Sequence, residues 1–241
     1  MSSGMKISVE KYGKYLDEIK LINKLLSLDN CRMVDIGCGK ADMTEAIAND
    51  GRGRSILALE TDVIQHEENV KNIQDPNIEF VNSGAQYIPV DNDQYDVVFM
   101  FKSLHHLPVG EMGIGLDEVH RVLKKGGHLY VSEPVFNGDF NEILRIFHDE
   151  EYVRERAFCA LESSVLSRQF ELVTERHINT RICFETFAEF EERIVKATHS
   201  NNELSDVEYE TVYEKYLINA INEKACFSMP LRIDLLQKPL N

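Results

Sequence analysis

Gly37 and Gly39 flank a cysteine directly after an apolar run that ends in an acid, within MVDIGCGKADMTEAIAND over residues 33–50. Glycine takes up left-handed backbone without the penalty of a Cβ, so this spacing lets a strand turn sharply and bring its main chain close to a ligand. The helix that follows aims free N–H groups at the same spot. Asp35 stands at the strand's carboxyl end, the edge at which open α/β sheets bind ligands. An acid there suits a ligand carrying an amino group better than one carrying a pyrophosphate. The dinucleotide pattern Gly-x-Gly-x-x-Gly asks for a third glycine, and Asp42 occupies that place. Its carboxylate would repel a pyrophosphate, which disfavours a nicotinamide dehydrogenase. Glu60, in LALETD, follows Gly39 by 21 residues. An acid at the tip of a second strand can accept both hydroxyls of a ribose.

A second set of candidates comes from other strand tips. His105 and His106 follow the fourth strand, and Glu133 ends the fifth. His106 is the candidate general base, useful only if the acceptor arrives protonated. Tyr12 and Tyr15, three apart on the first helix, could fold over the site, where their rings could contact a bound ligand. Arg232 could meet a substrate carboxylate, and a structural ion pair explains it equally well. The five cysteines show no metal-ligand spacing and read as reduced, mostly buried thiols. The histidines form no His-x-x-x-His pattern, so no metal is expected.

The elements that must position these residues alternate. CRMVDIG, RSILALE, NIEFVNS, QYDVVFMF and HLYVSEPV read as strands. Between them, ADMTEAIAND, DVIQHEENVKNI and GIGLDEVHRVLKKGG read as helices, the last closed by a glycine cap. An opening helix is expected over residues 8–28. This alternation implies a parallel sheet wrapped on both faces. All thirteen glycines lie at or before Gly138, so the rest of the chain should be helix-rich with few sharp corners. Helices are expected over 140–163, in TFAEFEERIVKATH and in SDVEYETVYEKYLINAINEK, and strands in FELVTERHINTRICFE and ACFSMPLRIDLLQK. The aromatics of this part, Phe140, Phe147, Tyr152, Phe158, Phe184, Phe187 and Phe190, could line an apolar pocket, though aromatics at helical spacing more often serve packing.

The chain has 241 residues, 43% of them apolar and 28% charged, with 41 acids against 26 bases and a formal net charge of −15. Phosphate neutralisation needs Lys and Arg, so this balance argues against a nucleic-acid partner. No apolar run is long enough to span a membrane, and no charged-then-apolar signal segment opens the chain, which points to the cytoplasm.

With VDIGCGKA, LALETD, NSGAQYIPVDNDQYDVVFMFKSLHHLP and EVHRVLKKGGHLYVSEP in place, residues 31–135 resemble the class I S-adenosylmethionine-dependent methyltransferases, in the branch of ubiquinone- and menaquinone-pathway enzymes. The resemblance implies an α/β, Rossmann-like doubly wound fold. Its sheet would be mostly parallel and seven-stranded, with an antiparallel last strand and a helical insert or cap. Residues 1–138 would form the cofactor-binding core, and 139–241 a cap plus strands completing the same sheet. It implies S-adenosyl-L-methionine as cofactor and a small molecule as substrate, or alternatively a catalytically silent cofactor-binding or regulatory protein of the same fold. Asp35, Gly37, Cys38 and Gly39 would hold the methionine part, Glu60 the ribose, and Thr61 and Ala85 the adenine. Phe101 and Lys102 would offer backbone near the amino group. Family members often carry an acid where Gly84 stands here, so Gln86 or backbone carbonyls would replace it. Tyr12, Tyr15, His105, Glu133 and Arg232 would face the substrate.

Overall fold

The computed structural model describes residues 3–13, 15–196 and 204–240. Five short strands carry the alternating first part: β1 (Arg32–Ile36), β2 (Ser55–Glu60), β3 (Ile78–Asn82), β4 (Tyr95–Phe101) and β5 (Leu123–Pro134). Three later ones are β6 (Glu171–Phe184), β7 (Ala220–Ile221) and β8 (Lys224–Gln237). All join one eight-stranded sheet in the order β3-β2-β1-β4-β5-β8-β6, with β7 pairing with β8. The first five are mutually parallel, and β8 runs antiparallel to both β5 and β6. The sheet is thus the expected mixed, mostly parallel one, with one strand more than the seven expected.

Near-continuous apolar runs make the central strands, because both faces are covered. Val97, Phe99, Phe101 and Tyr130 pack toward α1 (Glu18–Leu25) and α2 (Asp42–Asn49), with Leu21, Ile22 and Ile47. Val98, Met100, Leu129 and Val131 pack toward α4 (Met112–Val122) and α6 (Glu151–Leu166), with Leu116, Val119 and Leu161. The remaining helices are α3 (Val63–Asn72), α5 (Asp139–Leu144), α7 (Phe187–Phe190) with a π turn at Glu191–Val195, and α8 (Asp206–Ile218).

Several expectations are corrected. The opening helix is only Glu18–Leu25, because Asp17 caps it by accepting the Lys20 N–H at 3.2 Å. Tyr12 and Tyr15 therefore precede the helix. Leu123–Pro134 belongs to β5, so α4 ends at Val122 without a glycine cap, and Lys124 to Gly127 form an irregularity at the strand's entry. The helix expected over 140–163 is broken into α5 and α6. The end of TFAEFEERIVKATH, from Ala197 on, lies outside the described residues. Cys183 and Cys226, read as free thiols, face each other in the β6–β8 register and form a disulfide.

Candidate active site at the carboxyl ends of β1, β2, β4 and β5

The turn after β1 has the left-handed backbone its glycines permit: Gly37 has φ +70° and Gly39 φ +53°. A Cβ on Gly37 would lie 2.8 Å from Ser103 Cβ, whereas one on Gly39 would meet nothing within 4 Å. Asp35 is 1% exposed. Its Oδ2 accepts the Thr44 hydroxyl at 2.6 Å, and its Oδ1, buried, has no partner among the described residues. Burial pushes the Asp35 carboxyl up to about 7, with the Thr44 bond and Lys102 pulling the other way and Glu60 and Glu18 adding to the rise. Burial also pushes the Cys38 thiol up, so it is no nucleophile.

Glu60 lies close against this turn. Its carboxylate accepts the Gly39 N–H at 2.8 Å and the Asp62 N–H at 2.9 Å. A carboxylate has about four lone-pair sites, so two remain for further donors. Asn69 of α3 fastens the same turn by donating to the Gly39 carbonyl at 2.7 Å. After β3, Thr61, Gly84 and Gln86 come together: a Cβ on Gly84 would lie 2.6 Å from Gln86 Oε1 and 3.0 Å from Thr61 Cγ2. The Gln86 amide donates to Glu111 at 2.7 Å. Ala85 is 1% exposed and its side chain packs against Gly115 of α4, so at this position only the backbone is left to face a ligand.

At the end of β4, Phe101 stacks on Phe99 and meets Tyr130. Lys102 has φ +53°, a left-handed conformation that side chains rarely adopt, and donates its N–H to Ser132 O at 2.7 Å. Its ammonium lies 3.6 Å from Glu18, which also accepts the Tyr130 hydroxyl at 3.3 Å. The hydroxyl oxygens of Ser103 and Ser132 are buried without a partner among the described residues.

Two residues beyond Ser103, His105 is buried and its Nδ1 is held by Glu133, which also accepts the Leu104 N–H at 3.0 Å. Its Nε2 faces Glu150 Oε1 at 3.6 Å. Burial opposes the charge, yet Glu133 and Glu150 together push His105 up to about 9. His106 is exposed, its ring centroid 4.1 Å from that of His105.

Tyr12 and Tyr15 are placed elsewhere. Tyr12 meets His177 of β6. Tyr15 lies beneath the Arg181 guanidinium at 4.1 Å and lines a surface hollow of about 490 Å³ with Lys224 and Ser228. Arg232 is buried opposite Glu133 in the β5–β8 register, donates to Asp234 at 2.7 Å and stacks over Phe158. The cap aromatics Phe140, Phe184, Phe190 and Phe227 form a separate core cluster of their own. Sequence reasoning missed Glu18, Thr44, Asn69 and Glu150. Thr44 alone had a signal, a hydroxyl in the first turn of the helix after the glycine turn.

Residues 33–127 match the family described as a methyltransferase domain. The ubiquinone/menaquinone biosynthesis C-methyltransferase of Campylobacter jejuni is 30% identical over 125 residues, 47% of this chain and 50% of that protein. The demethylmenaquinone methyltransferase of Staphylococcus carnosus is 27% identical over 172 residues, 62% of this chain and 70% of that one. Among solved structures, an S-adenosylmethionine-dependent methyltransferase of Methanosarcina mazei superposes with a TM-score of 0.58 at 17% identity, covering 92% of this chain and 98% of that one. The chain spans about half the length of the first of these curated relatives. Sheet order, glycine turn and sequence matches together make this chain similar, over residues 33–127, to the methyltransferase domain of S-adenosylmethionine-dependent enzymes.

Proposed function

We propose that the protein transfers a methyl group from S-adenosyl-L-methionine to an oxygen, nitrogen or carbon atom of a small molecule. The observation that carries this reading is Asp35 Oδ1, a buried acceptor without a partner among the described residues, beside a left-handed glycine turn. Buried polar atoms are nearly always satisfied, and an ammonium is the donor this one lacks. The open space beside Gly39 supports the same reading. Asp35, Gly37, Cys38 and Gly39 would hold the methionine part and Glu60 the ribose. Thr61, Gly84, Gln86 and the Ala85 backbone would border the adenine, and Phe101 and Lys102 would close the amino end.

The cofactor supplies a methyl group already activated on a sulfonium. The chain's own residues bind, orient and exclude water. Glu18 of α1 reaches Lys102 and Tyr130, which draws that helix over the β4 tip. His105 and His106 flank the position at which an acceptor would enter, and His106, on the exposed side, would take its proton.

The acceptor belongs to the small molecules, and the curated relatives named for ubiquinone and menaquinone biosynthesis make hydroxylated aromatics the first class to try. The test is a screen for S-adenosylhomocysteine release across metabolites that include such aromatics. Release above the acceptor-free rate with at least one member is expected. Tight cofactor binding with no release from any acceptor would favour the silent, regulatory reading instead.

A further inference from the structure

We propose that His105, His106 and Glu150 bind a divalent transition-metal ion at the tip of β4, beside the cofactor turn. One ligand atom from each of these side chains lies within 4.8 Å of the others. Bonds of about 2.0–2.2 Å to imidazole nitrogen and carboxylate oxygen place cis ligand atoms roughly 3–3.5 Å apart. The 3.6 Å between His105 Nε2 and Glu150 Oε1 is close to that spacing.

The surroundings match a metal site in their orientation. Glu133 holds His105 Nδ1 and is itself fixed by the Leu104 N–H. That leaves Nε2 as the ligating atom, the carboxylate–histidine–metal relay in which an outer carboxylate sets the tautomer. Arg154, one turn along α6, takes Glu150 Oε2 at 2.5 Å and leaves Oε1 turned toward His105. His148 Nε2 lies 3.1 Å from that same Oε1, at a partly exposed position outside this group of three. Two imidazoles with one carboxylate suit zinc, cobalt, nickel or iron rather than magnesium or calcium. Of this set only the histidine pair is legible in the sequence, because Glu150 sits in the break between α5 and α6, more than forty residues further on.

The consequence rests on the methyl-transfer reading above. An ion at this tip, with a coordination position open to solvent through His106, would take one oxygen of the acceptor as a ligand and lower its pKa. The acceptor class is then a hydroxyl compound. With the ion bound His106 is a ligand, the acceptor's proton leaves to solvent, and the base role given to His106 above belongs to the metal-free protein only.

The test is calorimetric titration of the chelator-treated 241-residue protein with zinc and with cobalt(II), read together with the cobalt d–d absorption spectrum. One equivalent binding at micromolar Kd or tighter, with an absorption band of low-coordinate cobalt, is expected. His106→Ala and Glu150→Gln should each weaken binding at least tenfold, and His66→Ala, on α3, should leave it unchanged. Because Glu150 is buried, His106→Ala, on the exposed side, guards against a folding artefact. Titration with S-adenosylhomocysteine in parallel reports on the methyltransferase reading separately. No stoichiometric uptake of either ion, or equal uptake by His106→Ala, overturns the metal site while leaving cofactor binding untouched.

Discussion

Gly37 and Gly39 share one turn and left-handed backbone, yet a methyl group added to each meets different surroundings. On Gly37 it collides with Ser103, so Gly37→Ala combines backbone strain with a steric clash and should cost about 2–4 kcal/mol of stability in urea unfolding. On Gly39 it enters open space, so Gly39→Ala should cost only the ~1–2 kcal/mol of left-handed backbone but weaken cofactor binding more than Gly37→Ala relative to its effect on folding. Equal unfolding losses for the two would contradict the packing described. Asp35 makes a pH prediction. Its folded pKa of about 7 lies above the ordinary unfolded value of about 3.9. Between these values the folded chain keeps a proton that the unfolded chain has lost. Stability therefore declines as pH rises from about 4 to 7 and levels off above. Subtracting the curve of Asp35→Asn from that of the wild type isolates this slope, and a difference that stays flat would contradict it. Affinity for the cationic cofactor should run the other way, rising from pH 6 to 8 in the wild type and not in Asp35→Asn.

At the scale of elements, the parallel half of the sheet was legible because its strands and glycine turns are local signals. Asp35, Gly37, Gly39 and Glu60 were legible with them, since a turn and a strand tip fix their places. What was not legible depends on contacts far apart in sequence. The disulfide is a consequence of β6–β8 register, which pairs Cys183 with Cys226 across a separation of 43 residues. Glu150 reaches His105 only because α6 packs across the tip of β4. The first helix was overextended because the apolar spacing continues upstream, although Asp17 with Glu18 in the first turn carried the start signal. The cap has its own core, in which Phe190 is fully buried against Phe184, Tyr216 and Phe227. Phe190→Ala should therefore destabilise by about 3–5 kcal/mol in chemical denaturation. A loss under 1 kcal/mol, with a changed KM for an acceptor once one is found, would instead put this ring in a substrate pocket.

Over the whole molecule, a net charge of −15 suits a small cofactor of net positive charge better than a phosphate polymer. Among the described residues no helix is long and apolar enough to cross a membrane. The sheet runs without a break from the cofactor half into β8 and β6, and α6 of the later part covers the β4 tip. The glycine turn and the β4 tip are thus parts of one framework, and the turn is where the account is most exposed. The most direct test is calorimetric titration of the wild type and of Glu60→Ala with S-adenosylhomocysteine and with NAD. The account predicts micromolar or tighter binding of S-adenosylhomocysteine, at least tenfold weaker in Glu60→Ala, and no heat from NAD. Binding of NAD in preference, or an affinity for S-adenosylhomocysteine that Glu60→Ala leaves unchanged, would contradict it.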